Sequence, residues 1–296
     1  MKDFTHFGIK QRNFSEYNYN AIWQNLKTVR LGQGVAQELP PICSEFYDVS
    51  LGTKCNLECP FCYTNALHTG VFYKDVCEKA KKFFGEMDEN SKPFQIAIGS
   101  EGEPTIHPEF IPFLQTIYNL GIVPNYTTNG ITLASEDNKE LLEATEKYCG
   151  GVAVSANTWN ENINKTWKKA VDNLKGIDIN INIHYIISDK ASVDKFVSEV
   201  YPYVNDILYF VLLPLMPSGR SVCKYTQEEF EYLLSKNLNW SKIAFGAHFY
   251  DLLKQQNKIK CWLYPPESFS KNLILGNPIK ITKSSFHKEP IWQKDV

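Results

Sequence analysis

The chain has 296 residues, enough to bury a substantial core, and its 43% hydrophobic and 22% charged residues are typical of a folded globular protein rather than a disordered one. Its 31 Lys and Arg nearly balance 33 Asp and Glu, which argues against an extended nucleic-acid partner. The N-terminal segment MKDFTHFGIKQRNF lacks the apolar run of a secretion signal, and no segment is long and apolar enough to span a membrane, so we expect a cytoplasmic protein with no membrane partner.

In chain order, residues 1–44 are polar and aromatic and end near Pro40 and Pro41, and we expect them to form an N-terminal extension. Short apolar runs then alternate with helical patterns. The predicted strands lie at 46–51, 94–99, 123–127, 151–156, 177–187 and 207–213, and the predicted helices lie near 72–85, 108–120, 137–148, 161–174 and 192–203.

This alternation predicts an α/β fold with a parallel sheet, built from repeated β-α-β units. Six predicted strands are two short of a complete barrel and favour an open or partial (β/α)6 barrel, similar to a TIM barrel, over residues 45–225. A further helix near 226–236 and a tail are expected to complete the chain over 226–296.

Three of the eight cysteines, Cys55, Cys59 and Cys62, fall in the short segment CNLECPFCY after the first predicted strand. Ligands gather at the carboxyl ends of parallel strands, and clustered cysteines in a reducing compartment indicate a metal more often than a disulfide. A structural zinc site needs four ligands, and His68 or Cys77 could supply the fourth. Three thiolates also suit a [4Fe–4S] cluster that leaves one iron for an exogenous ligand. The residues alone leave both sites open.

The CxxxCxxC spacing, with the aromatic Phe61 before the last cysteine, resembles the signature of the radical S-adenosylmethionine (radical SAM) superfamily. The resemblance covers residues 46–220. It implies a [4Fe–4S] cluster held by Cys55, Cys59 and Cys62, S-adenosylmethionine on the remaining iron, and an electron donor such as flavodoxin or ferredoxin. It also implies that Phe61 packs near the adenine of S-adenosylmethionine.

Segments after the later strands resemble the superfamily's cofactor contacts. SEGEPT at 100–105 is similar to its Gly-Gly-Glu-Pro motif, which contacts the cofactor's amino group, although Glu101 replaces the first glycine. TTNG at 127–130 resembles its Thr-Asn-Gly motif, VSAN at 154–157 the segment that reaches the carboxylate or ribose, and LPLMPSGR at 213–220 the loop that closes over adenine. The contacts implied are Gly102, Glu103, Pro104, Thr128, Asn129, Ser155, Asn157 and Arg220. Ordinary turns and loops are the alternative for the first, second and fourth segments.

The fifth predicted strand alternates strictly between isoleucine and polar residues. A period of two places the isoleucines against helices and places Asp178, Asn180, Asn182 and His184 toward the barrel lumen. Asn182 and His184 lie nearest the carboxyl end and are the candidate catalytic residues. An internal hydrogen-bond network or an edge strand facing water is the alternative. Cys261 is a third catalytic candidate, as a hydrogen-atom donor, with a buried structural thiol as the alternative.

The resemblance predicts an enzyme that cleaves S-adenosylmethionine reductively to a 5′-deoxyadenosyl radical, which abstracts hydrogen from a peptide or small molecule. The alternatives are a radical SAM enzyme of nucleotide or RNA modification, and a non-catalytic zinc or iron–sulfur protein with a structural or regulatory role. Residues 221–296 contain only Cys223 and Cys261, too few to hold an auxiliary cluster, so we expect a single cluster.

Overall fold

The computed structural model describes residues 4–7, 10–14, 19–24, 27–31, 46–88, 91–222, 225–259 and 270–295, with only the backbone for those between 10 and 31. The N-terminal part contains three strands, β1 (Lys10–Phe14), β2 (Tyr19–Gln24) and β3 (Lys27–Leu31). They pair antiparallel in that order as a small sheet of their own. This small sheet lies within the predicted N-terminal extension.

The main sheet begins with the strands that the sequence predicted. They are β4 (Phe46–Ser50), β5 (Gln95–Ile98), β6 (Val123–Thr128), β7 (Gly151–Ser155), β8 (Asn180–Ile187) and β9 (Tyr209–Pro214). Each pairs parallel with the next along the chain. Because β8 pairs on both sides, the interpretation of this strand as an edge facing water is wrong.

Helices connect these strands across one face of the sheet. They are α1 (Val76–Gly85), α2 (Phe110–Asn119), α3 (Ile131–Ala134), α4 (Lys139–Tyr148), α5 (Glu161–Leu174), α6 (Lys190–Lys195), α7 (Gln227–Leu234) and α8 (Tyr250–Lys254). In α5, the Asn160 side chain caps the first turn, and the buried residues Trp167, Ala170, Val171 and Leu174 recur at helical spacing. This spacing gives the helix one apolar face, which packs into the core.

The C-terminal part adds strands to both sides of this sheet. β10 (Ile243–Phe245) pairs parallel with β9, and β11 (Ser270–Ile274) pairs parallel with β4. β12 (Ile279–Thr282) and β13 (Pro290–Lys294) continue antiparallel beyond β11. Among the described residues the strand order is β10-β9-β8-β7-β6-β5-β4-β11-β12-β13, and β10 does not pair with β13. The sheet is therefore open, as a partial barrel is.

The two faces of the sheet differ in polarity. Tyr47, Val49, Ile181 and Ile183 belong to the hydrophobic core under the helices. The alternate residues point to the opposite face, which we call the lumen face. In β8, Asn180, Asn182 and His184 occupy the lumen face and are half-buried. Asp178, predicted on that face, lies before the strand begins and is exposed. No helix in the described part of the chain is long and apolar enough to cross a bilayer.

Candidate active site

The three clustered cysteines lie in the long loop between β4 and α1, at the carboxyl edge of the sheet, and their side chains are half-buried. The Cys55 N–H donates to the Leu67 carbonyl at 3.0 Å, and the Leu57 N–H points to the Cys55 Sγ at 3.4 Å. Burial raises the pKa of Cys55 to about 12 and that of Cys59 to about 11. Without a metal these thiols are protonated at neutral pH, and a bound metal would displace their protons.

Arg220, at the exit of β9, fastens this loop. Its Nε donates to the Cys59 carbonyl at 2.7 Å, and both terminal nitrogens donate to the Ala66 carbonyl at 3.2 Å. Its backbone N–H donates to the Cys62 carbonyl at 3.0 Å. The resemblance placed Arg220 in the loop over adenine; in the structure its guanidinium binds the backbone on both sides of the third cysteine, Cys62.

Two glycines allow the neighbouring segments to approach this loop. A Cβ on Gly219 would lie 2.2 Å from the Cys62 carbonyl oxygen, and the φ of Gly219 is 61°. A Cβ on Gly102 would lie 2.5 Å from the Lys54 carbonyl oxygen, and the φ of Gly102 is 66°. Both positions require glycine for its conformation and for its lack of a side chain. Gly102 thus allows its segment to approach the cysteine loop, while its contact with the cofactor stays a prediction.

Glu103 joins the loops that follow β5 and β6. Its Oε1 accepts from the hydroxyls of Thr105 and Thr128, each at 2.7 Å, and from the Thr105 N–H at 3.2 Å. Its Oε2 accepts from the Asn129 N–H at 2.8 Å. The backbone N–H of Glu103 donates to the Lys54 carbonyl at 2.9 Å, and this hydrogen bond connects the Glu103 network to the cysteine loop. The carboxylate is buried and occupied by four protein donors, so it positions the edge of the site.

The rest of these two motifs supports the same edge. Pro104 is buried and begins the short helix Pro104–Ile106, which Glu103 caps. The Asn129 side-chain amide donates to the Asn56 Oδ1 at 2.7 Å and lies 4.0 Å from the Cys55 Sγ. Glu101, where the family has glycine, accepts from the Ser50 hydroxyl at 3.0 Å. The unusual carboxylate therefore points inward and is hydrogen-bonded.

Aromatic residues that were not among the predicted site residues pack at the cysteine loop. The Tyr63 hydroxyl donates to the Ser100 carbonyl at 2.7 Å, and the Tyr63 ring stacks on Phe286, with ring centroids 4.5 Å apart. His248 contacts the other side of Phe286. Tyr63 follows Cys62 directly, a position that could have marked it, whereas no sequence signal connects Phe286 to the site. Phe61 is half-buried and has no ring contact among the described residues.

Unmet polar groups remain at this edge. Ser100 is 8% exposed, and its Oγ has no hydrogen-bond partner in the structure as described. Asn157 is also 8% exposed, and among the described ranges neither its side chain nor that of Ser155 takes part in a hydrogen bond. Buried polar groups normally have partners. A polar cofactor at the carboxyl edge would supply them.

His184 faces Ser155 across the β7–β8 pair. Burial lowers the pKa of His184 to about 4, so the imidazole is neutral at physiological pH. The Asn182 Oδ1 accepts from the Tyr209 N–H at 3.1 Å, which commits one end of this amide to the neighbouring strand. The structure thus brings His184 next to the cofactor edge, while Cys261 lies outside the described residues.

The residues proposed to complete a zinc site lie elsewhere. His68 is exposed, and Cys77 lies in α1, where its side chain faces Thr116 of α2. Within the described ranges, no three Cys, His, Asp or Glu side chains converge on the position of a single ion. Neither His68 nor Cys77 therefore completes a four-ligand site with the clustered cysteines. The thiolates of a [4Fe–4S] cluster bind different irons and need not converge in this way.

Residues 49–187 match the family model of the radical SAM superfamily. The chain carries a radical SAM domain. This finding confirms the predicted superfamily, whose cofactors are the [4Fe–4S] cluster and S-adenosylmethionine predicted from the sequence. Over 99 residues, 33% of the chain, the protein is 27% identical to the 7,8-dihydro-6-hydroxymethylpterin dimethyltransferase of Methanocaldococcus jannaschii. The match spans 20% of that relative, so the chain corresponds to a fifth of its length.

Solved structures agree on the fold around the radical SAM domain. SuiB of Streptococcus suis bound to S-adenosylmethionine superimposes with a TM-score of 0.64 at 15% identity, covering 86% of this chain and 63% of SuiB. The enzyme anSMEcpe with bound AdoMet gives a TM-score of 0.58 at 14% identity, covering 84% of this chain and 76% of anSMEcpe. SuiB has also been solved with its precursor peptide SuiA. These likenesses confirm the predicted partial-barrel fold.

Proposed function

We propose that the protein is a radical SAM enzyme that acts on a peptide or a small molecule. The observation that carries the proposal is the anchored cysteine loop: three half-buried thiols at the carboxyl edge of a parallel sheet, with the loop held by Arg220 and Glu103. A metal with a purely structural role does not require buried polar side chains without hydrogen-bond partners beside it. The buried Ser100 hydroxyl is such a group, and the side chains of Ser155 and Asn157 make no hydrogen bond within the described ranges.

In this proposal Cys55, Cys59 and Cys62 hold three irons of a [4Fe–4S] cluster, and S-adenosylmethionine takes the fourth. When bound, the cluster and S-adenosylmethionine supply reductive cleavage of the sulfonium, which gives a 5′-deoxyadenosyl radical that abstracts hydrogen from the substrate. A cluster of this kind needs a low-potential one-electron donor, and a flavodoxin or a ferredoxin fits that need.

The chain's own groups bind and orient. The Glu103 carboxylate already accepts hydrogen bonds from protein donors. The Gly102 carbonyl accepts no hydrogen bond within the described ranges, so it would be the acceptor available to the ammonium of S-adenosylmethionine. Thr128 and Asn129 fix the neighbouring loop through Glu103. Ser155 and Asn157 offer uncharged donors and acceptors to the carboxylate or ribose.

The lumen face would receive the substrate. A neutral His184 adds no positive charge to a space that takes a cationic cofactor, and its ring nitrogens can donate or accept. The free end of the Asn182 amide lies on the same face. Phe61 stays a candidate for packing against adenine, and Cys261 stays a candidate hydrogen-atom donor.

The peptide option draws support from what the solved neighbours bind. SuiB was crystallised with a precursor peptide, and anSMEcpe with AdoMet and a peptide. The pterin-modifying relative supports the small-molecule option instead. A precursor-peptide gene beside the gene for this protein would favour the first option.

The test is anaerobic reconstitution with iron and sulfide, reduction, addition of S-adenosylmethionine, and measurement of 5′-deoxyadenosine. We expect product from the wild type and from Cys77→Ser, whose thiol lies between two helices, and none from Cys59→Ser. Absence of product from wild-type protein that has taken up four irons and four sulfides would refute the proposal. Native zinc without iron uptake would favour a structural protein.

A further inference from the structure

Asp48 is an acidic residue on the lumen face that the site described so far does not use. It lies in the middle of β4, between Tyr47 and Val49, which both point into the core. Its side chain is half-buried and makes no hydrogen bond or ion pair with any described residue. The other two half-buried or buried acids nearby are satisfied, Glu101 by Ser50 and Glu103 by four donors.

A second polar group without a partner lies beside Asp48. On β11, Asn272 pairs in register with Asp48, so both side chains point to the lumen face. Asn272 is 1% exposed; its amide nitrogen donates to the Thr282 hydroxyl at 3.3 Å, but its Oδ1 has no partner within the described part of the chain. Two adjacent strands thus present two acceptors, a carboxylate and an amide oxygen, and neither accepts a hydrogen bond from a described residue.

The row of residues that contains these acceptors continues across the lumen face. On the other side of Asp48, β5 places Ala97 in register, followed by Asn125 on β6 and Gly151 on β7. Asp48 and Ala97 are both partly exposed, so the lumen is accessible beside the carboxylate. Tyr63, in the cysteine loop, lies near Asp48 and Glu101. The acceptors therefore lie on the lumen face, close to the cysteine loop.

An unpaired carboxylate in such a place is costly for the fold. Desolvation penalises the charged form, and burial raises the pKa of Asp48 to about 7. An unmet buried acceptor such as the Asn272 Oδ1 adds its own cost. Both costs disappear when one ligand brings a positive group with several N–H donors. An ammonium has three donors and no acceptor, so it suits a carboxylate next to an amide oxygen.

We propose that the lumen binds the ammonium group of the substrate, held by the carboxylate of Asp48 and the amide oxygen of Asn272. The inference rests on the proposed function and narrows its substrate to amine-bearing molecules. It assigns the recognition of the substrate to β4 and β11, on the same lumen face as His184 but four and five strands away from β8 in the sheet. The amine belongs either to a small molecule or to a lysine side chain of a peptide.

The test measures binding rather than turnover. The reconstituted protein with S-adenosylmethionine is titrated, without reductant, with n-butylammonium and with the neutral isostere n-butanol, and dissociation constants are obtained by ligand-observed NMR. We expect n-butylammonium to bind wild type at least about tenfold more tightly than n-butanol, and Asp48→Asn to lose that advantage, since truncating one side of a desolvated charge pair costs at least this much. Asp137→Asn removes an equal charge from an exposed position and should bind as wild type does.

A second variant and two further probes complete the design. Asn272→Leu should weaken n-butylammonium binding while leaving Asp48 in place, and covers the case in which Asp48→Asn does not fold. Tighter binding of Nα-acetyl-lysine methylamide would identify a peptide side chain as the source of the amine, and tighter binding of 1,4-diaminobutane a small molecule. Equal affinities for n-butylammonium and n-butanol, or unchanged ammonium affinity in both variants, would overturn the inference. Because no cleavage is measured, failure to form 5′-deoxyadenosine in the separate assay bears on the proposed function alone.

Discussion

Replacing Asp48 with asparagine should stabilise the protein, and should do so more strongly in alkaline than in acidic solution. Burial raises the pKa of Asp48 from 3.8 to about 7. Between these values the folded protein holds a proton that the unfolded chain releases, so rising pH favours unfolding. The stability associated with the protonated group is fully present below pH 3.8 and is lost as pH rises through about 7. Asparagine has no proton to release, and its contribution does not change with pH.

The size of the effect follows from the shift. A difference of about 3 pKa units corresponds to at most ~4 kcal/mol above pH 7. Roughly half of this loss of stability is already present at pH 5.5. The difference in free energy of unfolding between Asp48→Asn and wild type should therefore be about 2 kcal/mol larger at pH 8 than at pH 5.5. A residue kept at such a cost to stability is typical of a binding site.

The assay is urea unfolding followed by circular dichroism at pH 5.5 and pH 8, on preparations with matched iron content. Asp137→Asn, in an exposed position, serves as the control and should change stability little at either pH. If the stability difference between Asp48→Asn and wild type is the same at both pH values, Asp48 does not titrate in the folded protein as argued. A destabilised Asp48→Asn at pH 8 would show that the carboxylate has a partner.

Three further predictions concern the cysteine loop and the lumen. Gly219→Ala should lower the free energy of unfolding by at least ~3 kcal/mol, because its Cβ would lie 2.2 Å from the Cys62 carbonyl oxygen. Gly121 has a similar positive φ but open space around it, so Gly121→Ala should lower the free energy of unfolding by only about 1 kcal/mol. Equal losses of stability in urea unfolding would contradict the close approach at Gly219. A lysine at position 220 cannot bind the Cys59 and Ala66 carbonyls together, so Arg220→Lys should lower the iron retained per chain after gel filtration. Iron retention at the wild-type level would show that these contacts do not hold the cysteine loop. Burial lowers the pKa of His184 to about 4. The contribution of the neutral ring to the free energy of unfolding is therefore complete above pH 6.5 and decreases as the pH falls toward 4. NMR signals of the His184 ring that titrate near pH 6.5 would contradict this prediction.

The fold was largely predictable where local patterns are strong. Six strands and the main helices appear within a few residues of their expected places, because apolar runs and amphipathic spacing are local properties. The strict alternation in β8 also predicted which side chains face the lumen. β10 to β13 were not predicted: they are short, and their place in the sheet depends on pairing with strands far away in the chain.

The site was predictable as a set of segments, and the roles of single residues were less so. The cysteines, the GEP turn and the exit of β9 do meet at one edge. Resemblance assigned Arg220 to the loop over adenine and Glu103 to the cofactor, and these contacts stay predictions; the structure adds that both side chains bind protein groups. Those partners are 161 and 25 residues away, and no local pattern encodes such pairs. Asn272 and Phe286 could not be found from the sequence for the same reason.

The Arg220 clamp also sets an order of events during synthesis. The guanidinium joins the Cys59 carbonyl across 161 residues. At ~5–20 residues per second, the ribosome takes roughly 8 to 30 s to make Arg220 after it has made the cysteines. Throughout that interval the three cysteines lie on a loop that lacks its contacts with Arg220. We therefore expect a cluster to be inserted only after β9 has folded and Arg220 has bound the loop.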